Sequence, residues 1–292
     1  MAEEYKRRHG DRRDGRWLSD LDALHTFMPY LYVNRADNEA FISETIDLTN
    51  LNAYLEKKNA GLTEHKYTLF HVILAAMVKT VTLRPKMNRF IQGMRIYQRH
   101  DLTAGFVVKK EFADEGSEAL AYIKFGPEST IDSVHERIVE EITTCRGGGL
   151  DNSTAGMDML CKLPRSILRL VMWILRRLDF YGRVPYSLVK SDPNYSTVFL
   201  TNLGSIGLKA GYHHLSNWGT TSVFVIIGKT HLAPQYDERG AVTMREVVDI
   251  GLTLDERIAD GYYYSKTVRL LKHLLQNPEL LERPASEEVD YE

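Results

Sequence analysis

The stretch Leu252-Thr253-Leu254-Asp255-Glu256-Arg257-Ile258-Ala259-Asp260-Gly261 decides how this chain is read. Upstream of it, Arg245 to Leu254 alternates apolar and polar residues with period two, the pattern of a strand. Downstream, apolar residues recur at helical spacing from Tyr263 to Leu275, and Asn277-Pro278 closes that pattern. The stretch is therefore a strand-to-helix junction that carries three consecutive charges and an Asp-Gly turn.

The same mixture continues outward. Ser222 to Ile227 is a near-continuous apolar, β-branched run, which predicts a central strand buried on both faces. Ser196 to Leu200 predicts a strand leading into Thr201-Asn202-Leu203-Gly204. Towards the N-terminus, Ala40 to Leu48 reads as a strand, after which Thr49 or Asn50 can cap a helix through Tyr54 to Lys58. Thr68 to Leu83 is the clearest helix, with Leu69, Val72, Ile73, Ala76, Met77, Thr80 and Val81 at three- and four-residue steps and Pro85 as its stop. Gly93 to Gln98, Thr103 to Lys109 and Glu118 to Phe125 read as extended. Thr130 to Thr144 reads as a helix stopped by Gly147-Gly148-Gly149. Strands alternating with helices predict an α/β layered fold.

Composition sets the outer limits. The 292 residues are 43% hydrophobic, enough for a filled core and too few for a membrane protein. A formal net charge of −2 provides no global field for nucleic acid, so any anion site is local. Cys145 and Cys161 have no metal-ligand spacing and read as ordinary structural thiols in a reducing, cytoplasmic setting. No repeat or low-complexity linker divides the chain. The expected organisation is a charged N-terminal arm (1–24), one domain (25–283) and an acidic C-terminal tail (284–292). The arm reads as a solvated tail or as a segment docking on a neighbouring subunit, and the C-terminal tail is expected to fray. The run Ile167 to Leu175, flanked by Arg165, Arg176 and Arg177 and interrupted by Arg169, is too short to span a bilayer. It reads as a helix buried against protein, in the core or at a subunit interface, and membrane contact is not expected.

Four blocks in order carry a family resemblance, the most C-terminal of them in two parts. Leu252 to Gly261 resembles the C-terminal signature of the 2-oxoacid dehydrogenase acyltransferases: a strand, Asp-His-Arg, two small apolar residues, Asp-Gly. Leu274-Leu275-Gln276-Asn277-Pro278-Glu279-Leu280-Leu281 is similar to the end of the helix that follows it there. Phe199 to Gly207 resembles the family's Ser/Thr-Asn-Leu-Gly loop, Leu83 to Asn88 its Pro-x-x-Asn helix terminus, and Ile46 to Leu51 its strand–helix junction. The resemblance spans roughly Phe27 to Leu281. It implies a chloramphenicol acetyltransferase-like two-layer α/β sandwich with a mixed β-sheet. It also implies a homotrimer or higher multiple of three, with coenzyme A or acyl-coenzyme A as co-substrate and no metal. Lipoyl and subunit-binding domains are not expected.

The departure is Glu256, which stands where the family carries its histidine. There an imidazole takes the proton of the incoming nucleophile, and a Ser or Thr hydroxyl donates to the oxyanion. By resemblance Thr201 is the oxyanion donor, Asn202 and Gly204 belong to the coenzyme A loop, and Asp260 orders the junction through an arginine, with Arg35 and Arg257 as candidates. A normal Glu titrates about four units below a thiol, so taking a thiol proton is uphill by about 5–6 kcal/mol. Either burial raises Glu256 into a working base, or the base is lost and Glu256 makes a salt bridge. His213-His214 superficially resembles the chloramphenicol-type histidine pair but stands in the wrong block, without a following Asp-Gly. The function implied is a coenzyme A-dependent acyltransferase of weak or altered activity. The alternative is a non-catalytic, trimeric or cage-forming scaffold.

Overall fold

The computed structural model describes residues 7–109, 118–146, 160–190, 192–237 and 239–291. Its centre is a seven-stranded mixed sheet. The path runs β2 (Glu39–Asp47), β10 (Val242–Asp255), β8 (Val223–Ile227), β7 (Val198–Asn202), β5 (Leu102–Lys109), β6 (Glu118–Phe125), and β9 (His231–Tyr236) extends β10 on one side. β7 runs parallel to both β5 and β8, and the other pairings are antiparallel. All five residues of β8 are buried, as the unbroken apolar run predicts.

One face of the sheet carries the main core. Val198, Leu200, Val223, Val225, Ile250, Leu252 and Leu254 pack there under helices α2 (Thr49–Lys58), α3 (Leu69–Leu83), α4 (Ile131–Arg146) and α7 (Gly261–Gln276). α3 is buried around nearly its whole circumference, from His71 to Val81. Each fully buried Val, Leu or Ile in it contributes about 1.5–3 kcal/mol. Lys79 is tolerated there because its Nζ reaches the Pro284 carbonyl at 2.8 Å. The opposite face is covered by a crossing loop, residues 207–220, under which Leu215, Phe224 and Ile226 form a smaller cluster with Phe199 and Leu203.

A second sheet joins β1 (Gly15–Trp17), β4 (Arg95–Arg99) and β3 (Arg89–Gln92). The N-terminal stretch thus differs from the solvated tail expected: from residue 7 it packs on its own chain. Its mixed charges satisfy one another. Arg12 is buried, donating to Asp14 at 2.9 Å, the Asp179 carboxylate at 3.1 Å and the Asp179 carbonyl at 2.7 Å. Asp11 accepts from the backbone N–H groups of Arg8 and Trp17 at 2.7 and 2.8 Å. The expectation of a fraying C-terminal tail is corrected in the same way. Ala285 is buried and donates its N–H to the Ser129 carbonyl at 2.9 Å.

The run Ile167–Leu175 lies in a helix, α5 (Arg165–Phe180), followed by one turn, α6 (Tyr186–Val189). Burial in this chain's own core is not what it shows. Leu168, Val171 and Leu175 turn partly inward, while Ile167, Leu170, Trp173 and Ile174 face outward. Exposed apolar side chains also occur on α1 (Ala23–Leu31), at Leu24, Phe27, Tyr30 and Leu31. Cys145 is buried and Cys161 is exposed. The glycines expected to stop α4 lie outside the described residues. No described helix is long and apolar enough to cross a membrane.

Candidate functional site

β7 ends in Thr201 and Asn202, followed by a tight turn from Leu203 to Ile206. Asn202 holds that turn, its Oδ1 accepting from Ser205 N–H at 3.1 Å. Gly204 is required by close approach: a Cβ there would lie 2.5 Å from the Gly228 carbonyl. The two residues assigned to coenzyme A therefore both shape the loop. What this shaped loop does is leave Thr201 at the meeting point of two cavities.

The larger cavity, about 470 Å³, lies on the helix side and is lined chiefly by Phe70, Phe106, Val108, Ile138, Leu203 and Ile206. His71 also borders it. Its Nδ1 accepts from Thr68 N–H at 3.0 Å, which places the ring proton on Nε2, a buried atom with no hydrogen-bond partner among the described residues. Burial, with His135 adding repulsion, pulls the His71 imidazole down to about 4. The smaller cavity, about 330 Å³, lies on the opposite face among Phe199, Phe224, Ile226, His213 and His214. Val107, Thr201 and Leu203 line both.

The Leu252–Gly261 signature lies at the far end of the sheet. Asp255 is completely buried and receives Arg257 through both oxygens, Nε at 2.8 Å and Nη2 at 2.7 Å. Arg35 approaches the same carboxylate, with Nε at 3.6 Å. Arg257 then donates to the Tyr32 carbonyl at 2.7 Å, and Arg35 to the Ile91 carbonyl at 3.0 Å and the Ser216 carbonyl at 2.5 Å. Both arginines considered as partners for Asp260 thus converge on Asp255. Asp260 is exposed and caps α7, accepting from Tyr263 N–H at 2.8 Å, with Lys86 Nζ at 3.9 Å. That backbone hydrogen bond, with help from Lys86, holds its carboxyl below the ordinary aspartate value. Glu256 is exposed, and its N–H is tied to the Asn38 carbonyl at 2.9 Å.

Strand register measures the gap. Thr201 is aligned with Ile226 and Ile226 with Gly251, and Glu256 lies five residues beyond Gly251. At about 3.4 Å per residue and 4.8 Å per strand, Thr201 and Glu256 of one chain are roughly 20 Å apart. One chain does not bring them together. The histidine pair sits on the crossing loop: His213 stacks on Phe224 at 4.4 Å, and His214 Nδ1 lies 2.8 Å from buried Glu39. Among the described residues no group of three or more metal-ligating side chains is assembled.

Comparison with known proteins agrees with this architecture. Residues 186–282 match the family model of the 2-oxoacid dehydrogenases acyltransferase (catalytic domain). A probable dihydrolipoamide acetyltransferase from Listeria monocytogenes is similar over 95% of this chain and 99% of its own, at 15% identity and a TM-score of 0.57. The dihydrolipoamide acetyltransferase (E2p) of Azotobacter vinelandii is similar over 87% and 90%, at 16% identity and a TM-score of 0.58. A chloramphenicol acetyltransferase is similar over 89% and 99%, at 12% identity and a TM-score of 0.54. No curated protein sequence matches the chain. The fold is that of these acyltransferases, and the resemblance read from the four sequence blocks stands.

Proposed function

We propose that this acyltransferase-type chain transfers acyl groups between coenzyme A and a second nucleophile at Thr201. The observation that carries the reading is that Thr201 borders two cavities at once. An acyl group in the apolar 470 Å³ cavity would present its carbonyl at the Thr201 hydroxyl, with the attacking thiol or hydroxyl arriving through the other cavity. A fixed hydroxyl donating to the developing oxyanion is worth roughly 10²–10³-fold in rate. The apolar lining suits an acyl chain better than a sugar or nucleotide. Asn202 and Gly204 serve by fixing the loop against Gly228, and Asp260 by starting α7.

The functional unit is a homotrimer or a multiple of three. The exposed apolar faces of α1 and α5 need partner surfaces, and a threefold arrangement would carry Glu256 of one copy to Thr201 of the next. Glu256 is exposed, and a carboxylate is a poorer base for a thiol proton than the imidazole the family carries, so the reaction is expected to be slow if Glu256 is its only base.

The competing reading, a non-catalytic scaffold, predicts no pocket for the co-substrate. A thermal-shift titration with coenzyme A and short acyl-coenzyme A thioesters separates the two. Binding to the native state raises the transition temperature progressively with concentration, by an amount equivalent to about 2.7 kcal/mol at a hundred times Kd. A transition that does not move at millimolar ligand refutes the enzymatic reading.

A further inference from the structure

The crossing loop brings an imidazole into the smaller cavity that Thr201 of the same chain also lines. It is pressed unusually close to the sheet. A Cβ on Gly251 would lie 2.0 Å from the Gly211 carbonyl oxygen, and one on Gly228 would lie 2.4 Å from Ala210 N. Only strand glycines leave room for this approach. Lys229 N–H donates to the Leu208 carbonyl at 2.8 Å, and Leu215 N–H is held by the Glu39 carboxylate. The backbone between those anchors is therefore held against the sheet, while the side chains of Tyr212, His213 and His214 remain exposed at the mouth of the smaller cavity.

His213 is one of them. Its ring lies flat on Phe224, 4.4 Å away at an interplanar angle of 10°, and Phe224 in turn stacks on Phe199 at 4.9 Å. Its Nδ1 is 2.8 Å from the His214 carbonyl oxygen, which can only accept. The proton therefore sits on Nδ1 and Nε2 presents a lone pair. Phe224 is aligned with Phe199, and Thr201 lies two residues further on the same face. One strand spacing and two residues put Thr201 roughly 8 Å from the position beneath the ring. This backbone spacing puts both residues on the rim of one cavity of about 330 Å³, with space for a reacting group between them.

We infer that His213, acting in the same chain as Thr201, is the general base of the proposed acyl transfer; the inference rests on that reading of the Thr201 cavity. His213 Nε2 takes the proton of the incoming thiol or hydroxyl, whose electron pair forms the new bond to the acyl carbonyl carbon. The carbonyl electrons move to oxygen and are held by the Thr201 hydroxyl. Collapse breaks the bond to the leaving coenzyme A sulfur, which takes the proton back from His213. As residue types, an imidazole lies about two units below a thiol and a carboxylate about four, so a histidine base is the better matched to a thiol by about a hundredfold in the fraction of nucleophile activated. Glu39 and His214 act by orienting the loop: Glu39 accepts from Leu215 N–H and pairs with His214, whose carbonyl sets the His213 tautomer.

The experiment measures kcat/KM for transfer from short acyl-coenzyme A to a small thiol in wild type, His213→Gln and Glu256→Gln, with the coenzyme A thermal shift recorded for each. The expected result is a loss of 10²–10⁴-fold in His213→Gln with its thermal shift retained. Transfer by His213→Gln within about threefold of wild type overturns the assignment. So does a larger loss in Glu256→Gln than in His213→Gln, which makes the neighbour's carboxylate the base. Wild-type binding of coenzyme A without any transfer overturns both the base and the reaction. An absent thermal shift in wild type overturns the coenzyme A site itself, and the base with it, and is thereby distinguished from loss of the His213 assignment alone.

Discussion

Two aspartates stand five residues apart in the signature, and the structure gives them opposite roles that a pair of conservative substitutions separates. Asp255 is fully buried and neutralises Arg257 and Arg35, whose side chains are 1% and 3% exposed. Burial is the main cause that pulls Arg35 down to about 10, with Asp255 acting against it and Arg257 adding repulsion. Asp255→Asn keeps the volume and removes the charge. It leaves two guanidiniums in the interior without a counter-ion, a change that costs about 3–5 kcal/mol when a buried pair is broken. Asp260→Asn changes an exposed helix cap into another residue of equal capping strength, at a cost of a few tenths of a kcal/mol at most. Urea denaturation followed by circular dichroism reads both. Asp255→Asn should lower the midpoint by the equivalent of about 3 kcal/mol at unchanged m-value, and Asp260→Asn should superpose on wild type. A loss under 1 kcal/mol in Asp255→Asn, or a larger loss in Asp260→Asn, refutes the assignment of Asp255 as the anchor of the junction.

Three further outcomes follow from the same coordinates. His71 is held neutral down to about 4, whereas an unfolded histidine protonates near 6.5. Between these values the unfolded state binds more protons than the folded one, so stability falls as pH drops from about 6.5 to about 4, by up to roughly 3 kcal/mol. His71→Phe should flatten the denaturation midpoint across that window. A methyl group at Gly251 would collide with the Gly211 carbonyl, so Gly251→Ala should cost about 1–3 kcal/mol, measured by denaturant titration, and displace the loop that carries His213. Light scattering at micromolar concentration should give three times the chain mass of 33.5 kDa or a multiple of it, and a clean monomer would remove the site shared between copies.

Much of the fold was legible because its elements obey one period. Ser222 to Ile227 announces a buried central strand, and the Leu69–Val81 spacing announces α3 almost to the residue. β9 was not legible. His231–Tyr236 is mostly exposed, contains Pro234 and is extended only because it pairs along β10 from Val242 to Val247. α1 went unseen as well, since Pro29 stands inside it. Around the candidate site, the strand that ends at Thr201 and the strand-to-helix junction were legible, but the course of the arginines was not. A buried carboxylate and a capping carboxylate are the same letter, and only burial shows that Arg35 and Arg257 turn to Asp255. His213 reached the Thr201 cavity through a loop whose path depends on Gly228 and Gly251, each a glycine at or inside a strand end. Those glycines were the available signal.

The most direct test of acyl transfer at Thr201 is the rate of acyl exchange between a short acyl-coenzyme A and a small thiol, in wild type and in Thr201→Val. The substitution removes the hydroxyl while keeping the branched shape at the end of β7. The account predicts exchange in wild type above the uncatalysed rate, with Thr201→Val slower by roughly 10²–10³-fold and still stabilised by coenzyme A. Wild-type exchange no faster than buffer, or Thr201→Val exchanging at the wild-type rate, would contradict it.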